Sequence, residues 1–173
     1  GEDRSVGARQ RREQTGTQAV VAHGSYLINL AGQPEVHDKS IVALADELDR
    51  CARLGIEQYV MHPGSHADAA TGMAMIADAL NAAVAKPGPR ILLETTAGAG
   101  NTLGATFEQL AELLGRLTPA DRFGACLDTA HVFAAGYDLR TDAACRATLK
   151  QFNATVGLDR LGAIHLNDNC YTL

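Results

Sequence analysis

Four histidines and two carboxylates of the 173-residue chain stand at or near the ends of short apolar segments. Five of them each follow one segment directly: His23 follows residues 19–22, His62 follows 58–61, Glu94 follows 90–93, Asp128 follows 123–127 and His165 follows 161–164. The sixth, His131, lies three residues beyond Asp128. Imidazole nitrogens and carboxylate oxygens are ligands that suit Zn²⁺ and also Mn²⁺ or Fe²⁺. These residue types therefore predict a divalent metal site.

Hydrolysis of a phosphodiester is a reaction that such a site would support. Carboxylates can bridge two ions, and ions roughly 3.5–4 Å apart can clamp the attacking and leaving oxygens of a phosphoryl displacement. A bound ion would lower the pKa of a water molecule, and Glu94 is the candidate catalytic residue that orients or deprotonates this water. Isomerisation of a sugar also uses paired divalent ions, and spacing alone leaves that alternative open.

Other polar residues have simpler explanations. A single histidine is more often a hydrogen-bonded structural residue than a ligand, and we expect His37 and His66 to be surface residues. Asp46, Glu47 and Asp49 are expected to form a solvated helix face. A cluster of six ligand-type residues at the ends of successive strands is different, because burying it would be costly unless a cation compensated it.

The five apolar segments are expected to be β-strands, and the stretches between them have helical periodicity. Apolar residues return at three- and four-residue spacing in residues 36–54, 69–85, 105–117 and 142–156. Such alternation predicts an α/β fold with a parallel sheet covered by helices, either an open doubly wound sheet or a (β/α)₈ barrel. The carboxyl ends of parallel strands meet on one face, so either fold would bring the six polar residues together.

Composition limits the class of protein. The chain has 46% hydrophobic and 20% charged residues, as ordinary globular proteins do. We find neither a stretch of about 20 apolar residues nor a secretory signal, and therefore expect a cytoplasmic protein without a membrane partner. The four cysteines lack a C-x-x-C spacing and are expected to be reduced. Because the net charge is −5, any affinity for DNA must be local.

Five motifs, in this order, resemble those of the endonuclease IV family of apurinic/apyrimidinic endonucleases. They are HGSYLINL from His23, HPGS from His62, ETTAG from Glu94, DTAHVFAAGYD from Asp128 and HLND from His165. The similarity runs from about Ala22 to Asp168. It implies a TIM barrel with three zinc ions that cuts the phosphodiester bond 5′ to an abasic site during base excision repair. A bacterial member would be associated with the nucleoid.

The same resemblance implies roles for individual residues. It assigns His23, His62 and Glu94 to one ion, Glu94, Asp128 and His165 to a second, and His131 to a third. Tyr26 and Leu27 correspond to residues that contact double-stranded DNA near the abasic nucleotide, which is cheap to extrude because it has no base to unpair. A place in the hydrophobic core is the alternative for Leu27.

Both ends of the chain depart from the family's pattern. Residues 1–18 are expected to be disordered or outside the family, and residues 169–173 form an unmatched tail. Residues 19–168 would then be a partial barrel, with about five strands and four helices of the usual eight. The family's later Asp-x-His motif and glutamate do not appear after His165. We therefore expect a chain truncated at both ends, with fewer than three ions and impaired incision.

Two alternatives remain besides a DNA repair enzyme. A metal-dependent sugar isomerase or epimerase of the same barrel type would turn over ketoses without binding DNA. An inactive zinc- or DNA-binding fragment would take up zinc without cutting DNA. No feature of the sequence indicates an obligate protein partner.

Overall fold

Five parallel strands form one sheet at the centre of the computed structural model, which describes residues 7, 10, 11, 14–17 and 19–168. The strands are β1 (Val21–His23), β2 (Gln58–Met61), β3 (Arg90–Glu94), β4 (Phe123–Asp128) and β5 (Leu161–His165). They pair in the order β1-β2-β3-β4-β5, so that each strand lies beside the one before it in the chain. This sequential order is that of a barrel wall, whereas a doubly wound sheet reverses direction at a switch point. The prediction of a partial TIM barrel is thus confirmed.

Five helices accompany the sheet within the described part of the chain. They are α1 (Pro34–Leu54), α2 (Ala69–Ala83), α3 (Phe107–Gly115), α4 (Thr129–Ala134) and α5 (Asp142–Thr155). The amino-terminal ends of α2, α3 and α5 are capped by Asp68, Thr106 and Thr141, whose side chains accept hydrogen bonds from backbone N–H groups of the first turn. Helix α1 ends at Gly55, whose φ of 68° is the left-handed conformation that glycine adopts without strain.

The strand residues alternate between two environments. One set packs against the helices in the main core and includes Tyr59, Ile91 and Ala125. The residues between them face the other side and form a smaller cluster of Val60, Leu92, Cys126 and Ala163. Glu94 and Asp128 lie two residues after Leu92 and Cys126, so the alternation places both carboxylates on the second face, at the carboxyl end of the sheet.

The predicted boundaries need small corrections. Each of the four expected helices ends within two residues of the prediction, but α4 was not predicted, because its residues follow a strand without a turn signal. Strands β1, β3, β4 and β5 each extend one residue further than predicted. Strand β1 begins at Val21 rather than at residue 19, since its pairing with β2 begins where Val21 lies opposite Gln58.

In the amino-terminal segment, the expectation that residues 1–18 are disordered or outside the family stays a prediction. The described residues 7, 10, 11, 14 and 15 have helical backbone and are exposed. The other residues of that prediction, apart from 16 and 17, and residues 169–173 of the predicted tail lie outside the described part of the chain. None of the helices in the described ranges is both long and apolar enough to cross a membrane.

Candidate metal centre

The six residues predicted as ligands meet at the carboxyl end of the sheet. His23, Glu94, Asp128 and His165 are the last residues of β1, β3, β4 and β5, His62 directly follows β2, and His131 lies in the first turn of α4. The side chains of Glu94 and Asp128 are buried, at 2% and 1% exposed, while each of the four imidazoles is less than a third exposed. Parallel pairing of successive strands therefore brings together residues that are up to 142 positions apart in the chain (165 − 23).

Glu94 is the centre of this cluster. Its Oε2 lies 2.8 Å from His23 Nε2 and 3.2 Å from His62 Nε2. Its Oε1 lies 2.9 Å from His165 Nδ1 and 3.4 Å from His131 Nδ1. A single buried carboxylate thus contacts four imidazoles, two through each oxygen.

The protonation of His23 indicates what the cluster can hold. Its Nδ1 lies 2.7 Å from the carbonyl oxygen of Gly24, and because a carbonyl only accepts, Nδ1 must carry the proton. In a neutral ring Nε2 then has a lone pair, which points at the carboxylate of Glu94. Two lone pairs facing each other repel unless a cation, either a proton or a metal ion, lies between them.

His62 gives a second indication. Its Nε2 is buried and makes no hydrogen bond within the described residues, although Glu94 Oε2 is 3.2 Å away. A buried nitrogen without a partner is unusual, since buried polar side-chain atoms are nearly always hydrogen-bonded. Coordination of a cation would satisfy it. The donor set of the cluster therefore fits a divalent metal ion.

Asp128 organises the other side of the cluster. One of its oxygens, Oδ1, accepts a hydrogen bond of 2.9 Å from the backbone N–H of His131 and thereby caps α4. The other, Oδ2, lies 3.8 Å from His165 Nδ1 and accepts a hydrogen bond from the side-chain amide of Asn167. His131 Nδ1 is 2.8 Å from the carbonyl oxygen of Thr95, which leaves its Nε2 as the nitrogen with a lone pair.

Three groups of side chains in the described part of the chain have ligand atoms within 4.8 Å of one another. They are His23, His62 and Glu94; Glu94, Asp128 and His131; and Glu94, Cys126 and His165. Glu94 belongs to all three. The first group coincides with the ligand set that the sequence resemblance implies for one ion, while His131 here shares a group with Asp128 instead of standing apart.

The charges of these groups follow from their contacts. Burial alone would raise the pKa of Glu94, but the contacts from His131, His23, His62 and His165 outweigh burial and hold that pKa well below its usual range. The hydrogen bond with Glu94 raises the pKa of His23 and also that of His131, against a smaller opposing effect of burial. The carboxylate is therefore ionised at neutral pH.

Cys126 lies beside the cluster but has a different character. Burial, with the negative charges of Glu94 and Asp128, raises the pKa of its thiol to about 12. A metal ligand must be the thiolate, so Cys126 would have to lose its proton in order to bind an ion. Its position was not predicted, yet the two-residue alternation along β4 places it on the same side as Asp128.

Tyr26 and Leu27 project from the loop after β1. Their side chains are 78% and 86% exposed, so the alternative that Leu27 belongs to the core is wrong. The ring of Tyr26 lies 5.3 Å from that of His23 and 5.2 Å from that of His62, centroid to centroid. A cavity of about 250 Å³ opens beside these rings and is lined by Asn29, Ser65 and Thr96 among others.

The remaining predicted surface residues differ from one another. His37 and His66 are both partly buried, with Nδ1 hydrogen-bonded to the carbonyl oxygens of Leu30 and Asp68, and neither belongs to a metal-ligand group. Glu47 is half-buried and hydrogen-bonded, so its placement on a solvated face is wrong. Its neighbours Asp46 and Asp49 are exposed, as expected.

Sequence reasoning missed the residues that support the ligands. The Oγ1 of Thr95 accepts a 2.9 Å hydrogen bond from the backbone N–H of Asp128. The side-chain amide of Asn167 donates a hydrogen bond to the carboxylate of Asp128. Thr129 Oγ1 in turn contacts the backbone of Asn167. All three lie within or beside the motifs that carry the ligands, and this closeness in sequence could have identified them as supporting residues.

Comparisons with known proteins agree with this architecture. The chain matches the family described as xylose isomerase-like TIM barrel over residues 3–173. A protein of Geobacter sulfurreducens named "Probable endonuclease 4" is 47% identical over 167 residues, or 93% of this chain and 56% of the relative. The crystal structure of endonuclease IV from Thermus thermophilus superposes with a TM-score of 0.86 at 38% identity, covering 100% of this chain and 62% of that one.

A more distant structure shares the fold alone. A D-tagatose 3-epimerase-like protein has a TM-score of 0.72 at 18% identity, covering 98% of this chain and 63% of that one. The chain thus spans little more than half the length of the curated relative and less than two thirds of either solved structure.

Proposed function

We propose that this chain, which belongs to the family of xylose isomerase-like TIM barrels, is a metal-dependent hydrolase of phosphodiester bonds in DNA that acts at abasic sites. The fold alone does not select this reaction, because members of one fold carry out different chemistry. Identity of 47% to a protein named as an endonuclease, over 93% of the chain, favours DNA over a sugar.

One observation carries the proposal. Glu94 is buried and ionised, contacts four imidazoles, and is shared by all three possible ligand groups. A carboxylate with both oxygens engaged in this way is suited to bridge neighbouring cations. We therefore propose His23, His62, Glu94, Asp128, His131 and His165 as ligands of more than one ion.

Zinc is the ion that we propose, with Mn²⁺ as the alternative. Imidazole and carboxylate ligands without a thiolate suit both, and the neutral thiol of Cys126 adds no reason to prefer a softer metal. When bound, such ions act as Lewis acids that stabilise charge on a phosphoryl oxygen and lower the pKa of water.

The chain's own residues supply position and charge. Glu94 has a depressed pKa and four contacts, so it is better suited to hold and orient than to take up a proton. Asn167 and Thr95 fix Asp128 from two directions. The cavity beside Tyr26 has both apolar lining, such as Ile28 and Ala97, and polar groups, such as Asn29 and Ser65, a mixture typical of small-molecule sites.

Contact with DNA is proposed for Tyr26 and Leu27. Both are exposed next to the metal centre, where an aromatic ring and an apolar side chain can fill the gap that an extruded abasic nucleotide leaves in the stack. The net charge of −5 makes such local contacts more important than general attraction to phosphates.

The test compares Glu94→Gln with the unchanged chain. Glutamine keeps the shape of the side chain but removes its charge, so we expect zinc content per chain to fall and incision of an abasic duplex to fall by on the order of 10²–10⁴-fold. Glu108→Gln, on the exposed surface of α3, is the matched control and should change neither.

Three results would contradict the proposal. They are incision by Glu94→Gln at the unchanged rate, equal cutting of undamaged duplex, and zinc content that Glu94→Gln does not alter. Turnover of a ketose without DNA cleavage would support the sugar isomerase alternative instead. Zinc uptake by the unchanged chain without incision would support a binding fragment.

A further inference from the structure

The exposed pair Tyr26 and Leu27 sits at the tip of a tight turn. The backbone N–H of Ile28 donates a 3.0 Å hydrogen bond to the carbonyl oxygen of Ser25, which makes Tyr26 and Leu27 the two central residues of a β-turn. The backbone N–H of Leu27 lies 3.3 Å from Ser25 Oγ, a second bond inside the turn. Such a turn presents its central side chains outward.

A carboxylate from helix α1 holds the start of this turn. Glu47 Oε2 accepts hydrogen bonds from the backbone N–H of Ser25, at 3.3 Å, and from the phenol of Tyr59, at 2.5 Å. Tyr59 lies in β2 and is only 1% exposed, so its hydroxyl is fixed by the core. The carboxylate therefore links a rigid strand, a helix and the turn.

Gly24 brings the backbone close to this pair. A Cβ atom at Gly24 would lie 2.3 Å from the hydroxyl of Tyr59 and 3.4 Å from Glu47 Oε2. Absence of a side chain at this position lets the loop pack directly on the phenol. The Gly24 N–H also donates to the carbonyl oxygen of Val60 at 2.8 Å, which ties the loop to β2.

From these contacts we propose that Glu47, supported by Tyr59, is a positioning residue that fixes the Ser25–Ile28 turn and so sets the direction in which Tyr26 and Leu27 meet DNA. Among the described residues Glu47 belongs to none of the metal-ligand groups, so zinc content is measured beside DNA affinity to distinguish its effect from that of a ligand. The DNA part of this inference rests on the proposed function. The anchoring part rests on geometry alone.

The physical reason for such an anchor is preorganisation. An exposed tyrosine and leucine on a loose turn would have to be ordered at each binding event, and that ordering weakens binding. A turn that a charged acceptor already holds in place avoids this loss of binding free energy. Hydrogen bonds to charged groups are stronger than those between neutral groups. The Glu47 carboxylate is therefore a suitable acceptor for holding the turn.

The first measurement is backbone hydrogen exchange of Ser25 in the full chain. Glu47→Ala removes the acceptor of the Ser25 N–H, and loss of a hydrogen bond to a charged group should speed its exchange by about tenfold or more. Glu47→Gln keeps an acceptor oxygen and should stay within about threefold of the original rate. Glu35→Ala, on the same helix and ion-paired with the exposed Lys39, is the matched control and should change nothing.

The second measurement is affinity for an abasic duplex, with KM and kcat determined separately. Glu47→Ala should raise the dissociation constant and KM by about tenfold, with kcat and zinc content changed by less than about twofold, because binding but not chemistry loses its preorganised surface. Tyr59→Phe, which removes the hydroxyl but keeps the ring in the core, should shift the same quantities in the same direction.

The outcomes separate this inference from the proposed function. If the Ser25 N–H of Glu47→Ala exchanges at the original rate, Glu47 does not hold the turn. If exchange is faster but the affinity for DNA is unchanged, Glu47 holds the turn but has no role in DNA recognition. If the original chain binds no abasic DNA but Glu47→Ala still speeds exchange, the proposed function fails while the anchor stands. An equal loss of kcat and zinc would show that Glu47 merely supports the fold of the site.

Discussion

At the level of single residues, Glu94 and Cys126 show how neighbours decide the charge of a buried group. Both are within the sheet, and residues 94 and 126 are paired between β3 and β4. Contacts from four imidazoles outweigh burial and keep Glu94 ionised, whereas burial, together with the negative charges of Glu94 and Asp128, raises the pKa of Cys126 to about 12. Similar burial therefore gives an anion at one position and a neutral thiol at the other.

Cys126→Ala follows as a prediction for this residue. A neutral thiol contributes packing but no metal coordination, so zinc content and affinity should remain as they are, while unfolding should require about 1–2 kcal/mol less free energy. Zinc titration and denaturant unfolding measure the two quantities. A large loss of zinc affinity in this variant would show that Cys126 binds the metal as a thiolate.

At the level of elements, the loops after β1 and β2 depend on one side chain. Asn29 Oδ1 accepts from the backbone N–H groups of Ala31 and Ser65, each at 3.1 Å. Its Nδ2 donates to the carbonyl oxygen and to Oγ of Ser65, again at 3.1 Å. Gly64, with a φ of 128°, passes so close that a Cβ there would lie 2.7 Å from Asn29 Oδ1. The amide thus joins the loop that carries Tyr26 to the loop that follows His62.

Asn29→Asp tests this connection. Aspartate keeps the acceptors for Ala31 and Ser65 but replaces the donor with an oxygen that faces the Ser65 carbonyl, so we expect a loss of about 1–3 kcal/mol in the free energy of unfolding. Asn153→Asp is the matched control, since Asn153 accepts from the Leu158 N–H through Oδ1, a bond that aspartate retains. If denaturant titration shows the two variants to be equally stable, the connection of the two loops through Asn29 is contradicted.

At the level of the whole molecule, the cluster brings four imidazoles and two carboxylates to one edge of a half-barrel. The sheet pairs in sequence order, and every connection includes a helix, so each further strand adds a ligand to the same edge. The ligand set is therefore brought together by the folded sheet. An ion that binds the folded chain and not the unfolded one must also stabilise the fold.

Zinc removal gives the corresponding prediction. At a free zinc concentration about 100 times the dissociation constant, one site should add about 2.7 kcal/mol to the free energy of unfolding, and a chelator should remove it. Calorimetric scans with zinc and with a chelator measure the shift in Tm. Glu94→Gln should show little or no shift, and an unchanged Tm in the original chain would argue against a metal centre.

The sequence by itself determined the alternation of strands and helices and the types of residue at the strand ends. Both follow from local patterns: apolar periodicity predicts each element, and the carboxyl ends of parallel strands are where the residues that bind ligands collect. For that reason His23, His62, Glu94, Asp128 and His165 could be named as a set, and their motifs in order pointed to a family.

Only the tertiary structure decided how these residues contact one another. Strand order distinguished a barrel from a doubly wound sheet, because pairing depends on contacts between distant segments that no local pattern encodes. The same is true of Glu47: helical periodicity placed it on a solvated face, but packing of α1 against β2 turned its carboxylate toward Tyr59 and Ser25. Such contacts join residues from separate elements, and they exist only once the elements have packed.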